Sequence, residues 1–399
     1  AIGPLAVGHT SVGCGGGDIC KSATDPPMDI FGGCPGVWKG KCADRLPRYL
    51  AFLMQKGDSM EGKTLLVHAG MRKTASSTLQ QMFHRNSDIL LDHGILYPKL
   101  GTSSYNHRPL GKEIAAKGFD ILPHCAEQLR NEMAQSPCHT VLLSYEGWSH
   151  SEVATRFFKE LASLLDVRLS ALLIVRKPED YLNSYYSREI ANFRTSVSFP
   201  QFFEKHLTAD HVRYLSALDL WQKTADAEFI AVPLNGSSRL ESAVLERLGV
   251  NESRIRFVNT SNEAKSAYEI EVFRRINQRR KIKSILSFPN MRKQSKEIIG
   301  RNCSTEISSK NAFYGITDDM AHKVKVCLEK DLDKFSEAVW DKQWSEVFPN
   351  AFKPTKSLSV IEPEKLSDFE RTEFDAVVRK SERDIRILHQ AHKSAEQDA

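Results

Sequence analysis

The chain has 399 residues, 41% of them hydrophobic, and its 55 basic and 50 acidic side chains give a formal net charge of +5. This length allows one large α/β domain with appendages or two smaller domains, and so small a net charge does not argue for a nucleic-acid partner. No apolar run approaches the roughly 20 residues that cross a bilayer, and the first residues lack the pattern of a signal peptide, so we expect a soluble, cytoplasmic protein.

Residues 1–58 are rich in Gly, Pro, Cys and Ser and show little periodicity. This composition predicts a flexible leader rather than a folded domain. The leader contains four of the eight cysteines, which are Cys14, Cys20, Cys34 and Cys42. They lack close C-x2-C pairs and have no histidine at ligand spacing, so a flexible leader is favoured over a zinc or disulfide cluster.

Strand-like and helical patterns alternate from residue 63 onward. Nearly continuous runs of Leu, Val and Ile predict strands at 64–69, 140–145, 171–176 and 228–233. Apolar spacing predicts helices at 77–92, 151–165, 179–192, 199–206, 211–224, 238–248, 266–281 and 317–340. This alternation indicates βαβ units and a parallel sheet covered on both faces, with a ligand site beyond the carboxyl ends of the strands.

The remaining segments give weaker signals. Segments 99–125 and 283–316 carry no interpretable pattern and are predicted to be variable loops. Residues 351–399 form a charged tail whose apolar spacing suggests one amphipathic helix. We predict a solvated helix or a flexible end there rather than a specific partner site. The domain itself is predicted to cover residues 59–350.

The first predicted strand ends in a basic, hydroxyl-rich turn. The turn places a lysine before a row of hydroxyl residues, Lys73-Thr74-Ala75-Ser76-Ser77-Thr78. A cation, hydroxyl donors and the free N–H groups of a new helix suit a tetrahedral anion. The alternative interpretation is an ordinary helix N-cap, Ser76 or Ser77, beside an exposed lysine.

This turn is not a Walker A motif, because that motif has a glycine directly before its lysine and here Gly70 stands three residues earlier. A nucleotide hydrolase also needs a strand-ending Asp to help hold magnesium. The later strands end in Tyr145-Glu146 and in Arg176, so Glu146 is the carboxylate that could approach a metal there. These features count against phosphoryl transfer from a nucleoside triphosphate.

The strand at 171–176 ends in a second basic turn. Arg176 follows the apolar run directly, Pro178 suits the first turn of a helix, and Ser184 lies about two turns further along. A guanidinium and a hydroxyl so placed can bind one phosphate. The alternative is that Arg176 pairs with Glu179 or Asp180.

Together the two turns resemble those of the sulfotransferases that use 3′-phosphoadenosine-5′-phosphosulfate (PAPS), and most closely the bacterial, carbohydrate sulfotransferase-like branch. The first is similar to the family's 5′-phosphosulfate loop, K-[TS]-G-[TS]-[TS], and the second to its 3′-phosphate motif, R-x-P-x-x-x-x-x-S-x-Y. Further similar positions are His68, Gly70, Gln80, Asn86, Gly94-Ile95-Leu96-Tyr97-Pro98, His107, Leu220-Trp221, Leu248-Gly249, Asn259 and Ser261. The likeness covers roughly residues 63–345.

The resemblance implies a P-loop NTPase-like, three-layer α/β fold with a central parallel sheet, and metal-free sulfonyl transfer from PAPS to an acceptor hydroxyl, leaving adenosine 3′,5′-bisphosphate. The acceptor would be a glycan or a small metabolite. Lys73 would neutralise charge on the breaking donor bond, and Arg176 and Ser184 would bind the 3′-phosphate. The 5′-phosphosulfate would be held by the loop residues Lys73, Thr74, Ala75, Ser76, Ser77 and Thr78. Ala75 replaces the family's usual glycine, which would cost about 1 kcal/mol if that position needs a positive φ.

A general base should deprotonate the acceptor. Glu146 is the first candidate, because it follows a strand end, and the alternative is a helix-capping or salt-bridge carboxylate. His107 is the second candidate, since it resembles a recurrent histidine of the bacterial branch, and His68 is interpreted as structural.

Two other functions stay open at this point. One is a nucleotide kinase that uses ATP and magnesium, and the other is a degenerate domain that binds adenosine 3′,5′-bisphosphate without turnover. A nucleic-acid module is less favoured, because the basic cluster at 274–281 fits a solvated helix face.

Overall fold

Five parallel strands form one sheet in the computed structural model of the protein, which describes residues 62–236, 238–258, 264–288, 290–304 and 311–397. The strands are β1 (Thr64–His68), β2 (Ile95–Leu96), β3 (Thr140–Ser144), β4 (Arg168–Val175) and β5 (Glu228–Pro233). Their order is β2-β3-β1-β4-β5, and each neighbouring pair is parallel. The predicted α/β fold with a central parallel sheet is therefore confirmed, with the short β2 as a strand that was not predicted.

Helices connect the strands and follow the last of them. In chain order they are α1 (Ser76–Arg85), α2 (Ser87–Asp92), α3 (Arg108–Lys117), α4 (Leu122–Ala134), α5 (Glu152–Leu165), α6 (Pro178–Ala191), α7 (Phe199–His206), α8 (Tyr214–Asp219), α9 (Leu240–Arg247), α10 (Ala267–Asn277), α11 (Arg280–Ile285), α12 (Met291–Cys303), α13 (Asp318–Trp340), α14 (Trp344–Val347) and α15 (Asp368–Gln397).

Both faces of the sheet are covered by helices. In β1, Leu65 and Val67 pack on one face with side chains of α3, α4 and α5. Leu66 packs on the opposite face with side chains of α1, α2 and α9. Because both faces are buried, the strands are continuous apolar runs rather than alternating ones. The result is three layers, with the sheet between two layers of helices.

Two of the predicted helices are each divided into two α-helices. The pattern at 77–92 is α1 and α2, separated by Asn86, whose amide Nδ2 donates to Met82 O at 2.8 Å and whose Oδ1 accepts the Arg256 N–H at 2.8 Å. This buried amide anchors the junction to a distant segment, which helix periodicity does not reveal. The pattern at 266–281 likewise comprises α10 and the start of α11.

The prediction that 99–125 and 283–316 are loops is wrong, because they contain α3, the start of α4, and α12. Apolar spacing is sparse in these helices. The buried apolar side chains of α3 are only Leu110 and Ile114, and α12 interrupts its apolar positions with lysines and arginines. Tertiary packing rather than an obvious apolar stripe therefore defines them.

The charged tail contains the helix that its spacing suggests. Phe374, Val378 and Ile385 of α15 are buried in the same hydrophobic cluster as side chains of α10 and α12. The ring of Phe374 packs against that of Tyr268, with centroids 5.3 Å apart. One face of the tail helix is therefore part of the folded core.

The basic cluster at 274–281 is engaged in ion pairs. Arg274 donates to both oxygens of Glu271 at 2.6 Å, Arg275 donates to the same carboxylate at 3.0 Å, and Arg279 lies 3.8 Å from Glu382 of the tail helix. These two carboxylates offset only part of the charge of the five basic side chains that the sequence places there.

None of the helices in the described part of the chain is long and apolar enough to span a membrane. The four leader cysteines, Asn259 and Ser261 lie outside the described residues. The other four cysteines, Cys125, Cys138, Cys303 and Cys327, are free thiols.

Candidate functional site

The site is built on the loop that leaves the central strand. β1 lies between β3 and β4, so the loop at 69–75 emerges between the ends of both neighbours. The N–H of Ala69 donates to Leu172 O of β4 at 3.1 Å, which fixes the base of the loop to the sheet. Ala75 then forms the N-cap of α1 without a side-chain capping bond, so the N-terminus of that helix opens into the loop.

The loop takes up a tight conformation with left-handed backbone positions. Gly70, Lys73 and Ala75 have φ values of 35°, 66° and 60°. Ala75 therefore occupies a conformation that favours glycine, the residue that the resembled family has there. The strain expected at this position from the sequence is present.

The loop hydroxyls do not all face outward. Thr74 Oγ1 donates to Met71 O at 2.5 Å, and Ser76 Oγ donates to the same carbonyl at 3.3 Å. Ser77 is exposed, while Thr78 is partly buried one residue further into α1. The buried hydroxyls thus shape the loop, and Ser77 is the one displayed to solvent.

Four basic side chains lie in the loop or close enough to act on its charge. They are Arg72, Lys73, Arg176 and Arg188, here called the site cations. None of them forms an ion pair with a carboxylate among the described residues. Burial, followed by the charges of Arg188 and Arg176, lowers the pKa of Lys73 to about 8, against the opposing effect of Glu189. A set of unpaired, partly desolvated cations is the electrostatic pattern of an anion site.

Arg176 joins the two turns that the sequence predicted. It follows β4, and its guanidinium Nη1 donates to Lys73 O at 2.9 Å. The alternative pairing with Glu179 or Asp180 is not formed among the described contacts. Glu179 Oε1 accepts the Phe352 N–H at 2.8 Å, and Asp180 lies 3.4 Å from Lys177 Nζ.

Helix α6 carries the other two site residues on the Arg176 side of the loop, Ser184 and Arg188. Ser184 lies one turn after Asp180 and one turn before Arg188, on a common helix face, and is partly exposed. Sequence analysis identified Ser184 but missed Arg188. Its spacing of four residues from Ser184 was the signal that could have found it.

Glu146 lies on the opposite side of the loop, beyond the end of β3. Gln80 of α1 donates through Nε2 to Glu146 Oε2 at 3.1 Å, and Asn106 Nδ2 donates to Gln80 Oε1 at 3.3 Å. Gln80 had appeared only as a position of family likeness, and Asn106 had not been singled out. The structure shows that they hold the orientation of the Glu146 carboxylate.

His107 is fully buried and bound by backbone groups. Its Nδ1 accepts the Ser144 N–H at 3.0 Å, which leaves Nε2–H to donate to Pro98 O at 3.2 Å. Burial lowers its pKa to about 4, against both of these bonds. Both ring nitrogens are therefore occupied in holding the backbone.

His68, the last residue of β1, is also fully buried. Its Nδ1 lies 2.6 Å from Ser144 Oγ, and its Nε2 has no hydrogen-bond partner among the described residues. Burial lowers its pKa to about 4, although Glu146 acts in the opposite direction. The imidazole is thus neutral and lies directly beneath the loop.

No group of three or more His, Cys, Asp or Glu side chains suited to holding a metal ion is present in the described part of the chain.

In comparisons with known proteins, no family profile, no curated protein and no solved structure matches this chain.

Proposed function

We propose that the protein is a sulfotransferase that moves a sulfonyl group from PAPS to a hydroxyl of a glycan or small metabolite, on a P-loop NTPase-like frame. The observation that carries this proposal is the grouping of the four site cations in and around one loop, with no ion pair to a carboxylate among the described residues and with Arg176 bonded to Lys73 O. A donor with a 5′-phosphosulfate and a 3′-phosphate supplies the two separate anionic groups that such a site requires.

In this proposal each side of the site has its own role. The N-terminus of α1, Ser77 and Lys73 bind the 5′-phosphosulfate. Arg176 retains further N–H donors beyond its bond to Lys73 O, and together with Ser184 it binds the 3′-phosphate. Recognition of a 3′-phosphate distinguishes PAPS from ATP.

The chemistry places the acceptor on the Glu146 side. The acceptor oxygen attacks sulfur as the bond from sulfur to the 5′-phosphate oxygen breaks, and Glu146 takes the acceptor proton. Lys73 stabilises the charge that develops on the departing adenosine 3′,5′-bisphosphate. Glu146 is favoured over His107 as the base, because Gln80 orients it and both nitrogens of His107 hold the backbone.

Ala75 favours a second candidate function, a domain that binds adenosine 3′,5′-bisphosphate without turnover. Its φ of 60° places an alanine in a strained conformation two residues after Lys73, where the resembled family has glycine. Strain here shifts the N–H groups that would hold the sulfonyl oxygens. Tight donor binding with no product from any acceptor would select this function.

The test is calorimetric titration of the full chain with adenosine 3′,5′-bisphosphate, with and without EDTA, beside ATP with magnesium. We expect metal-independent binding tighter than that of ATP, weakened at least ten-fold in Arg176→Ala, since a charged hydrogen bond contributes about 1.5–3 kcal/mol. Arg156→Ala is the control, because that arginine pairs with Glu152 on the surface of α5. A preference for ATP with magnesium would move the kinase hypothesis to first place.

A further inference from the structure

His68 presents an unexplained polar atom in the core. It is 0% exposed, and its Nε2 has no hydrogen-bond partner among the described residues. An unpaired buried donor or acceptor costs about 1–3 kcal/mol, so native structures rarely keep one without a reason. The atoms around His68 Nε2 indicate why it is left without a partner.

The unpaired nitrogen faces the loop at 69–75. A methyl group placed on Gly70 would lie 2.9 Å from His68 Nε2 and 3.0 Å from Ser76 Oγ. The imidazole edge and the serine hydroxyl therefore border the same space over Gly70. Ser76 is the first residue of α1, at the uncapped N-terminus where an anion would bind.

The hydroxyl of Ser76 is held weakly. It donates to Met71 O at 3.3 Å, whereas Thr74 Oγ1 donates to that carbonyl at 2.5 Å. Rotation of Ser76 about one bond would leave Met71 O satisfied by Thr74. Ser76 can therefore exchange its partner at little cost.

We propose that His68 is a positioning residue that turns Ser76 toward a bound anion. Ser144 Oγ donates to His68 Nδ1, the Nε2–H donates to Ser76 Oγ, and the Ser76 hydroxyl hydrogen then points to an oxygen of the anion. Each donor in this chain strengthens the next, because hydrogen bonds in series polarise one another. The identity of the ligand, a 5′-phosphosulfate, rests on the proposed function. The role of His68 concerns only how the loop binds an anion.

The first measurement is a ¹⁵N NMR spectrum of the full chain labelled in histidine, before and after saturation with inorganic pyrophosphate. We expect His68 to carry its hydrogen on Nε2 and the Nε2 resonance to move when pyrophosphate binds. A merely structural histidine would leave that resonance in place. A hydrogen on Nδ1, or an Nε2 resonance unmoved at saturation, overturns the proposal.

The second measurement is the affinity of variants for pyrophosphate. His68→Phe and Ser76→Ala should each weaken binding about ten-fold, and the double variant should bind no more weakly than either alone. His68→Gln should recover part of the loss, because its amide N–H can donate to Ser76. Additive losses in the double variant, or no recovery in His68→Gln, contradict the proposal, and thermal unfolding shows that each variant is folded.

These outcomes separate the inference from the proposed function. Pyrophosphate binding with the expected NMR change, but no preference for adenosine 3′,5′-bisphosphate over ATP, would support the role of His68 and reject the sulfotransferase. A clear preference for adenosine 3′,5′-bisphosphate with an unmoved His68 resonance would do the reverse.

Discussion

Two of the nine non-glycine residues with a positive φ among the described residues lie in the loop at 69–75. Lys73 and Ala75 both lie in the left-handed region, with φ of 66° and 60°. An L-residue other than glycine adopts this region at a cost of about 1–2 kcal/mol, so the fold must hold the loop in place against this cost. The bonds from Ala69 to β4 and from Arg176 to Lys73 O provide that restraint.

Replacing Ala75 by glycine should relieve the strain. We expect Ala75→Gly to raise the free energy of unfolding by about 1 kcal/mol in urea denaturation. The same change at Ala116, an exposed position within α3, should lower it by about 0.5–1 kcal/mol, because φ there is helical. Equal effects at the two positions would show that the φ of Ala75 carries no strain.

The lowered pKa of Lys73 predicts a pH dependence of anion binding. Burial, Arg188 and Arg176 lower this pKa from 10.5 to about 8, and a bound anion favours the charged ammonium and raises it again. Binding should therefore take up a proton above pH 8, and affinity for adenosine 3′,5′-bisphosphate should fall as the pH rises from 8 toward 10. Calorimetry in buffers of different ionisation enthalpy measures the proton uptake.

Arg188→Gln provides the control for this prediction. Without the charge of Arg188, the pKa of Lys73 should be higher. The fall in affinity should therefore begin at a higher pH, even though overall binding is weaker. An unchanged midpoint would mean that another group titrates.

At the scale of elements, the first turn of α6 fastens the segment that follows α14. Lys177 Nζ donates to Asn350 O at 3.2 Å, and Glu179 Oε1 accepts the Phe352 N–H at 2.8 Å. Glu179 is 0% exposed, and its Oε2 has no partner among the described residues. Burial raises its pKa to about 7, against the hydrogen bonds and the charge of Lys177.

The buried Glu179 should make stability depend on pH. Because its pKa in the folded state lies above the ordinary 4.5, its stabilising contribution is complete below pH 4.5 and is lost as the pH rises to 7. Relative to Glu179→Gln, the wild type should lose about 3 kcal/mol of unfolding free energy between pH 4.5 and 8. Urea denaturation at both pH values measures this difference, and Glu127→Gln, at an exposed position of α4, should show none. Parallel pH profiles for wild type and Glu179→Gln would refute the prediction.

Sequence patterns predicted the elements whose burial is regular. The four longer strands and the start of α6 were predicted because continuous apolar runs and Pro178 are local signals. The ends of two of these apolar runs also located Lys73 and Arg176, because each residue lies in the turn that follows a strand. The bond between Arg176 and Lys73 O joins residues 103 positions apart, and the hydrogen bonds from Asn106 through Gln80 to Glu146 join three segments that are distant in sequence. Such contacts depend on strand order, which no local pattern encodes.

At the scale of the whole molecule, the charged tail contributes to the core through one face of α15. Ile385 is 0% exposed in the main hydrophobic cluster, whereas Ile387 of the same helix is 57% exposed. The sequence showed an amphipathic pattern but not its partner, because the helices it packs against, α10 and α12, were divided or missed in the prediction.

The two isoleucines give a matched test of tail docking. Ile385→Ala should lower the free energy of unfolding by about 2–4 kcal/mol through lost burial and a residual cavity. Ile387→Ala should change it by less than about 0.5 kcal/mol. Urea denaturation of the full chain measures both, and equal losses would show that α15 does not pack as described.

The bond from Arg176 to Lys73 O also sets a length. Under the proposed function, the guanidinium that binds one anionic group holds the backbone of the loop that binds the other, at 2.9 Å. The distance between the two proposed anion pockets is therefore fixed, and only a ligand whose two anionic groups are that far apart fills both. Under that function, a bisphosphate with the correct charge but one extra linking atom should fit one pocket only, so the protein would select its donor by span as well as by charge.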